Sequence, residues 1–105
     1  MIKAIVIGNL GGNAQVKNIN GQNFVTFDVA STEKYKKQSG EEVEKTTWVS
    51  AMMYGEGGSL LQYLVKGKQV YLCGEIKTSA YMDREGRAQA SLGLYVKEIK
   101  LLGNK

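Results

Sequence analysis

The 105-residue chain contains no histidine, no proline and a single cysteine, Cys73. The absence of histidine excludes Ser-His-Asp and Cys-His catalysis and removes the commonest metal ligand. One cysteine can form neither an intramolecular disulfide nor, without histidine, a structural zinc site. Because Cys73 alternates with apolar residues, the sequence predicts a buried, unreactive thiol.

Sites built from carboxylates or from phosphate-binding loops also find little support. Four acids are available, Asp28, Glu75, Asp83 and Glu85, but they lack the spacing of a metal-ligand cluster. No Walker-type Gly-x-x-x-x-Gly-Lys-Ser/Thr sequence occurs. The Gly-Asn-Leu-Gly at residues 8–11 formally matches the loop of a KH domain, but it follows a strand pattern, which favours a tight turn. The sequence therefore predicts no cofactor, no metal and no enzymatic activity.

Long apolar segments are missing as well. No run approaches the roughly 20 residues of a membrane helix, and the uninterrupted apolar run at residues 4–7 is too short for an export signal. We therefore expect a cytoplasmic protein without a membrane partner. The length and the hydrophobic content of 43% predict one folded domain over residues 1–105. The net charge of +4 permits binding to a polyanion without requiring it.

Short alternating segments separated by turn signals cover the chain. The Asn20-Gly21 pair is the strongest hairpin signal, and residues 33–42 form a polar segment with strand patterns on both sides, which predicts a long projecting hairpin. A short helix is predicted from a Ser59 cap to a stop at Gly67. Strands are predicted at residues 3–8, 15–19, 23–32, 45–54, 69–81 and 87–102. Five or six strands with one short helix indicate an all-β protein, a five-stranded OB-fold Greek-key barrel with long projecting hairpins.

The segment at residues 45–54 contains the only tryptophan, Trp48, and a second aromatic residue, Tyr54. Side chains at even separations share one face of a strand, so both rings lie on the face with Ser50 and Met52. The opposite face, with Val49 and its neighbours, is small and apolar, as a core-facing side should be. Two outward rings are suited to stacking on unpaired nucleobases. The residues alone leave open the alternative that both rings belong to the core.

Six short motifs occur in the order and spacing of one known family. They are Ile-Val-Ile-Gly-Asn-Leu-Gly at residues 5–11, Asn-Gly-Gln at 20–22 with Val-x-Phe-x-Val-Ala at 25–30, Glu-Lys-Thr-Thr-Trp at 44–48, Tyr-Gly at 54–55, Tyr-Leu-Val-Lys-Gly-Lys-Gln-Val-Tyr at 63–71 with Gly74, and Lys-Thr, Tyr and Asp-x-x-Gly within 77–86. With these motifs the chain resembles the bacterial single-stranded DNA-binding protein family over most of its length. The run at residues 63–71 is the most specific part of the resemblance.

The resemblance implies sequence-tolerant binding and protection of single-stranded DNA in replication, recombination and repair, by a homotetramer or a dimer. It implies base stacking on four aromatic residues, Tyr35, Trp48, Tyr54 and Tyr81. Lysines near these rings are the expected phosphate partners: Lys3, Lys34, Lys36, Lys66 and Lys77. Tyr63 and Tyr71 are interpreted instead as core or interface residues.

The chain also departs from the family pattern. Positions where family members are often basic carry Val49, Ser50, Glu56, Ser79 and Ala80, which predicts a less basic groove and a weaker salt dependence of binding. Family members usually continue into a flexible linker and a short acidic tip that recruits replication and repair proteins. The sequence has no such tail, so tail-mediated replication partners are not expected from this chain. Two other functions remain open: a replication-restart adaptor resembling primosomal replication protein N, and an OB-fold nuclease, which the lack of clustered carboxylates disfavours.

Overall fold

The computed structural model describes residues 2–82 and 84–103, without the side chains of residues 79, 81, 89, 90 and 91. Within these residues the chain forms six strands and one short 3₁₀ helix. The strands are β1 (Lys3–Leu10), β2 (Gln15–Ile19), β3 (Gln22–Lys36), β4 (Glu42–Tyr54), β5 (Gln69–Met82) and β6 (Ala88–Leu101). The all-β OB-fold prediction is confirmed.

The hairpin between β3 and β4 is longer than the sequence pattern predicted. Both strands extend into the polar segment, and their antiparallel pairing runs without a break from Phe24 opposite Tyr54 to Lys36 opposite Glu42. Gly40 makes the turn with a φ of 89°, a left-handed conformation that glycine adopts without strain. The two strands therefore form a ribbon that ends in residues 37–41. At the other predicted hairpin, the Asn-Gly turn has positive φ at both Asn20 and Gly21, as a type I′ turn requires.

The strands form one sheet that curls into a barrel. The order across the sheet is β1-β5-β6-β4-β3-β2, and a short pairing of β1 with β3 closes it. β4 and β6 are parallel, whereas the other pairs are antiparallel. Closure depends on Gly8, because a Cβ at this position would collide with the carbonyl oxygen of Ala30 on β3. The pairing leaves most of β1 without a partner on its second edge.

Alternation of side chains builds the barrel core. The inward residues of β3, β4, β5 and β6 interlock with Leu64, which follows the 3₁₀ helix and is buried. The fully or nearly fully buried apolar side chains are Leu10, Val25, Phe27, Val29, Val49, Ala51, Leu64, Val70, Leu72, Leu94 and Val96. Cys73 is a buried free thiol, as predicted. No side-chain nitrogen or oxygen is buried without a hydrogen-bond partner in the described part of the chain.

β5 and β6 approach each other most closely at an irregularity. Their register shifts between Cys73 and Gly74, which marks a β-bulge. A Cβ on Gly74 would collide with the backbone carbonyl of Tyr95 on β6. Only a residue without a side chain therefore fits at this position.

The helix differs from the prediction in its start, its type and its end. It is a 3₁₀ helix over Gly58–Tyr63, it begins after Gly57 in a left-handed conformation, and no side chain caps it. Ser59 lies inside the helix, so the predicted Ser59 cap is wrong. Gly67 is not the helix stop either, because it lies in a separate turn closed by the Lys68 N–H donating to the Val65 carbonyl at 3.0 Å. Among the described residues, no helix has the length and apolar character needed to cross a membrane.

Candidate nucleic-acid interface

The outer face of β3 and β4 carries the two aromatic rings that the alternation placed there. Trp48 and Tyr54 are 57% and 61% exposed, while Val49 and Ala51 between them are buried. Six residues of strand separate the two rings by about 20 Å along β4. One flat ligand of the size of a nucleobase therefore cannot contact both rings.

The loop after β1 supports the Trp48 ring. A Cβ placed on Gly11 would lie 2.6 Å from Cζ3 and 2.8 Å from Cη2 of Trp48, so the indole lies directly over this glycine. The Gly11 N–H donates to the carbonyl of Asp28 at 2.9 Å, which fixes the loop against β3. The ring is thus held from one side and open to solvent on the other.

Two aromatic residues near Tyr54 were not predicted from the sequence. Its ring meets Phe24 edge-on, with centroids 5.6 Å apart, and Phe24 meets Tyr95 in the same way at 6.4 Å. Lys97 Nζ lies 4.6 Å from the centroid of the Tyr95 ring. Phe24 precedes the buried Val25 in an alternating strand, and that alternation was the signal that placed it on the outer face.

A cleft of 650 Å³ lies between the loop after β1 and the outer face of β3 and β4. It is lined by Gly12, Asn13, Gln15, Lys17, Thr26, Phe27, Asp28, Ser50, Ala51, Met52 and Lys66. A second cleft, of 280 Å³, shares Ser50 and Met52 with it and reaches Lys77 and Tyr95. The two clefts form one continuous groove across the sheet, which we call the groove below.

Backbone hydrogen bonds hold Lys66 at the edge of the groove. Its N–H donates to Asn13 Oδ1 at 2.9 Å, and the neighbouring Gly67 N–H donates to the Leu10 carbonyl at 2.8 Å. Lys17, on β2, lines the same cleft and was not among the predicted lysines. Its identification required knowledge of which strand borders the groove.

At the other end of the groove an acid accompanies two of the predicted lysines. Lys77 Nζ lies 3.4 Å from Glu75 Oε1, and Lys3 on β1 is the register partner of Glu75. The pair is solvent-exposed, so its net stabilisation is small and a phosphate can compete for Lys77.

The projecting hairpin carries the remaining predicted residues of β3. Lys34 lies opposite Glu44 and Lys36 lies opposite Glu42, so each of these lysines has an acid across the ribbon. Tyr35 is 50% exposed and lies opposite Val43, on the ribbon face that continues the barrel interior. The structure therefore does not place Tyr35 on the face that carries Trp48.

The sequence also made predictions for Tyr81, Tyr63 and Tyr71. The backbone of Tyr81 lies on β5 opposite Gln89, and its side chain is outside the described residues. Asp83, expected at the tip of the last hairpin, is also outside them. Tyr63 is 52% exposed, so it is not a core residue. Tyr71 is half-buried on the outer face of β5, where desolvation, with smaller effects from Cys73 and Glu98, raises the pKa of its hydroxyl.

Substituting Gly11 by alanine should displace the Trp48 ring. The added methyl group would occupy the position of the ring edge, and the ring is the part that can move. We expect a changed Trp48 emission spectrum and weaker binding of flat ligands that stack on the open side of the ring. The melting temperature should stay nearly constant, because Gly11 is exposed and its φ is not in the left-handed region.

Gly12→Ala is the matched control, since nothing lies within 4 Å of a Cβ at that position. Emission and affinity that respond equally to both substitutions would contradict the supporting role of Gly11.

The described residues contain no group of three His, Cys, Asp or Glu side chains able to hold a metal ion. The outer face of β3 and β4 does offer exposed aromatic rings, and the groove on this face offers cations. This combination suits stacking on flat ligands and binding of anions along one path.

Comparisons with known proteins agree with this geometry. The sequence profile of the Single-strand binding protein family matches residues 1–102. A single-stranded DNA-binding protein of Neisseria meningitidis serogroup A is 34% identical over 98% of this chain, and this chain spans 60% of that protein's length. Single-stranded DNA-binding protein 1 of Xylella fastidiosa is 32% identical over 98% of this chain and 78% of its own length.

Solved structures show the same fold. A Plasmodium falciparum SSB in complex with ssDNA superposes with a TM-score of 0.78 at 22% identity, covering 98% of this chain and 96% of that one. A small single-stranded DNA-binding protein from Streptomyces coelicolor gives 0.76 at 19% identity, covering 95% and 93%.

Proposed function

Because the chain belongs to the single-strand binding protein family, we propose that it binds and protects single-stranded DNA with little sequence preference. The processes it serves are replication, recombination and repair. One observation carries the proposal: Trp48 and Tyr54 are both more than half exposed, on the face of β4 whose Ser50 and Met52 line a groove bordered by lysines. Exposed rings at such positions have no role in the core.

The geometry accounts for selection of single strands. Each stacked base contributes roughly 1–3 kcal/mol, and any base is accepted because every base has a π-face. A duplex keeps its base faces covered, so it cannot use the rings. Lys17 and Lys66 at one edge and Lys77 at the other are placed to meet phosphates. Each phosphate neutralised on a single strand adds about −0.7 to the slope of log affinity against log salt.

The hairpins form further walls of the path in this proposal. Tyr81 supplies an additional stacking surface, and Tyr35 supplies one on the other face of the β3–β4 ribbon. Lys3, Lys34 and Lys36 supply weaker phosphate contacts, because an acid lies beside each of these lysines. The salt dependence should therefore be dominated by Lys17 and Lys66, with a smaller contribution from Lys77, whose Nζ lies 3.4 Å from Glu75 Oε1. The proposal includes no cofactor and no catalysis, and it includes a location in the cytoplasm.

The test is a fluorescence titration with the single tryptophan as the reporter. Oligo-dT should strongly quench Trp48 emission, duplex DNA of the same length should not, and raising the salt concentration should weaken binding. An unchanged signal with oligo-dT at low salt would contradict the proposal. Together with a dimeric state, it would favour the adaptor function over DNA binding.

Self-association is the second part of the proposal, and β1 supports it. Ile5 and Ile7 are 61% and 49% exposed on the outer face of this strand, whose second edge is paired only at Asn9 and Leu10. An apolar strand with a free edge is a template for pairing with another chain. Two copies can pair their β1 strands around a twofold axis, and a second twofold interface would complete a homotetramer.

Ile5→Asp should shift the protein from oligomer to monomer. A carboxylate in the paired β1 strands would be buried at a high cost in free energy, whereas in a monomer it stays hydrated. Light scattering coupled to size-exclusion chromatography measures the change. Val65→Asp is the control, because Val65 is also apolar and 43% exposed but lies outside β1. An oligomer that survives Ile5→Asp would exclude β1 as the interface.

A further inference from the structure

The groove holds an acid where its proposed ligand is a polyanion. Asp28 is exposed on the outer face of β3 and lines the larger cleft together with Ser50, its register partner on β4. Its carbonyl accepts the Gly11 N–H at 2.9 Å, which fixes its backbone. Among the described residues, its carboxylate takes part in no hydrogen bond or ion pair. The core does not need this charge, and a phosphate would be repelled by it.

The cross-strand register shows what lies opposite the acid. Asp28 on β3, Ser50 on β4, Gly93 on β6 and Lys77 on β5 form one row across the sheet. Three strand spacings separate the backbones of Asp28 and Lys77 by about 14 Å. Ser50 is small and Gly93 has no side chain. No large side chain of the row therefore stands between the Asp28 carboxylate and the Lys77 ammonium group.

Charge decides how a nucleotide lies across this row. Phosphates are attracted to Lys77 at one edge and to Lys17 and Lys66 at the other, but the Asp28 carboxylate repels a phosphate from its own position in the row, so the base edge of the nucleotide there faces Asp28. We propose that Asp28 selects bases that carry an amino group where thymine carries O4, namely cytosine and adenine, over thymine at this position. The inference rests on the proposed binding of single-stranded DNA and refines it from sequence-tolerant to partly base-selective.

The chemistry of the base edges supplies the discrimination. An ionised carboxylate only accepts hydrogen bonds, and it accepts well from the N4 amino group of cytosine. Thymine presents the O4 acceptor at the same place, so two acceptors would face each other. Hydrogen bonds to a charged group are about twice as strong as neutral ones. We expect the preference at this position to be about tenfold, which corresponds to about 1.4 kcal/mol.

The experiment compares the affinities for oligo-dC, oligo-dT and oligo-dU of equal length, at one salt concentration and at mildly alkaline pH, for the wild type and Asp28→Asn. Asparagine has the same shape but both donates and accepts, so it prefers neither edge. The ratio of dC to dT affinity should fall about five- to tenfold in the variant. Oligo-dU should behave as oligo-dT, because both present O4.

Three results would overturn the inference. A variant that binds all oligonucleotides more tightly by one common factor would show that Asp28 only repels phosphate. Oligo-dU that binds like oligo-dC would assign the preference to the thymine methyl group. A wild type that binds no oligonucleotide would contradict the proposed function itself. This outcome differs from a ratio of dC to dT affinity that is the same in the wild type and in Asp28→Asn, which would contradict only the role of Asp28. Ser50→Ala is a control that keeps the carboxylate, and it should leave most of the ratio intact.

Discussion

Replacing Trp48 and Tyr54 together by alanine should weaken the binding of single-stranded DNA by roughly 2–6 kcal/mol, at least about thirtyfold in affinity. In the proposed function each ring stacks on its own base, because the two rings lie about 20 Å apart on β4. Substitutions at this separation with no shared partner act additively. The product of the two single-variant effects should therefore reproduce the double variant. Equilibrium titration with oligo-dT, followed by anisotropy of a labelled strand, measures all four proteins.

Tyr63→Ala is the matched control for this series. Tyr63 is exposed to a similar degree, 52%, but it lies on the 3₁₀ helix and not on the outer face of β3 and β4. It should keep the wild-type affinity. The melting temperatures should change little, because the substituted rings are mostly solvent-exposed. A double variant that keeps its affinity would refute stacking on these two residues.

Gly74→Ala should be the most destabilising single methyl addition in the described part of the barrel. The new Cβ would collide with the carbonyl of Tyr95, and both partners are backbone that cannot turn away. Relief requires β5 and β6 to separate at the bulge, next to the buried Leu72 and Val96. We expect a loss of about 2–4 kcal/mol in the free energy of unfolding, or about 10 °C or more in melting temperature.

Gly93→Ala offers a matched control on β6. It adds the same methyl group in the same pair of strands, but its nearest neighbours would be the carbonyl oxygens of Lys77 and Ser50 at 3.4 and 3.6 Å. These are ordinary contacts, so stability should change by less than about 1 kcal/mol. Equal losses at both glycines, measured by urea denaturation, would show that the close approach at the bulge is not the cause.

Alternation along single strands was enough to predict the fold and the faces of β4. Val49 and Ala51 are inside and Trp48 and Tyr54 are outside because one face of the strand must be buried. The face of Tyr35 could not be predicted in this way. It depends on the register across the hairpin, which the turn at residues 37–41 sets, and a shift by one residue would move every side chain to the other face.

The other features of the site that were not predicted depend on contacts between segments that are distant in the sequence. Gly11 supports Trp48, and Phe24 and Tyr95 flank the groove, but these pairs are far apart in the sequence and meet only when the barrel closes. The helix prediction failed for a local reason. Gly57 and Gly58 both adopt left-handed φ values, so the chain turns tightly before Ser59 and leaves it no role as a cap.

The free edge of β1 has a consequence for the polarity of the DNA strand. A twofold axis through two paired β1 strands turns one groove by half a revolution relative to the other. A DNA strand has a chemical direction, and a groove whose side chains differ from one end of the strand path to the other accepts it in a single sense. One continuous strand that fills both grooves must therefore reverse its course between them. A dimer or tetramer of this kind bends its ligand into a loop, and short oligonucleotides should occupy the two grooves independently.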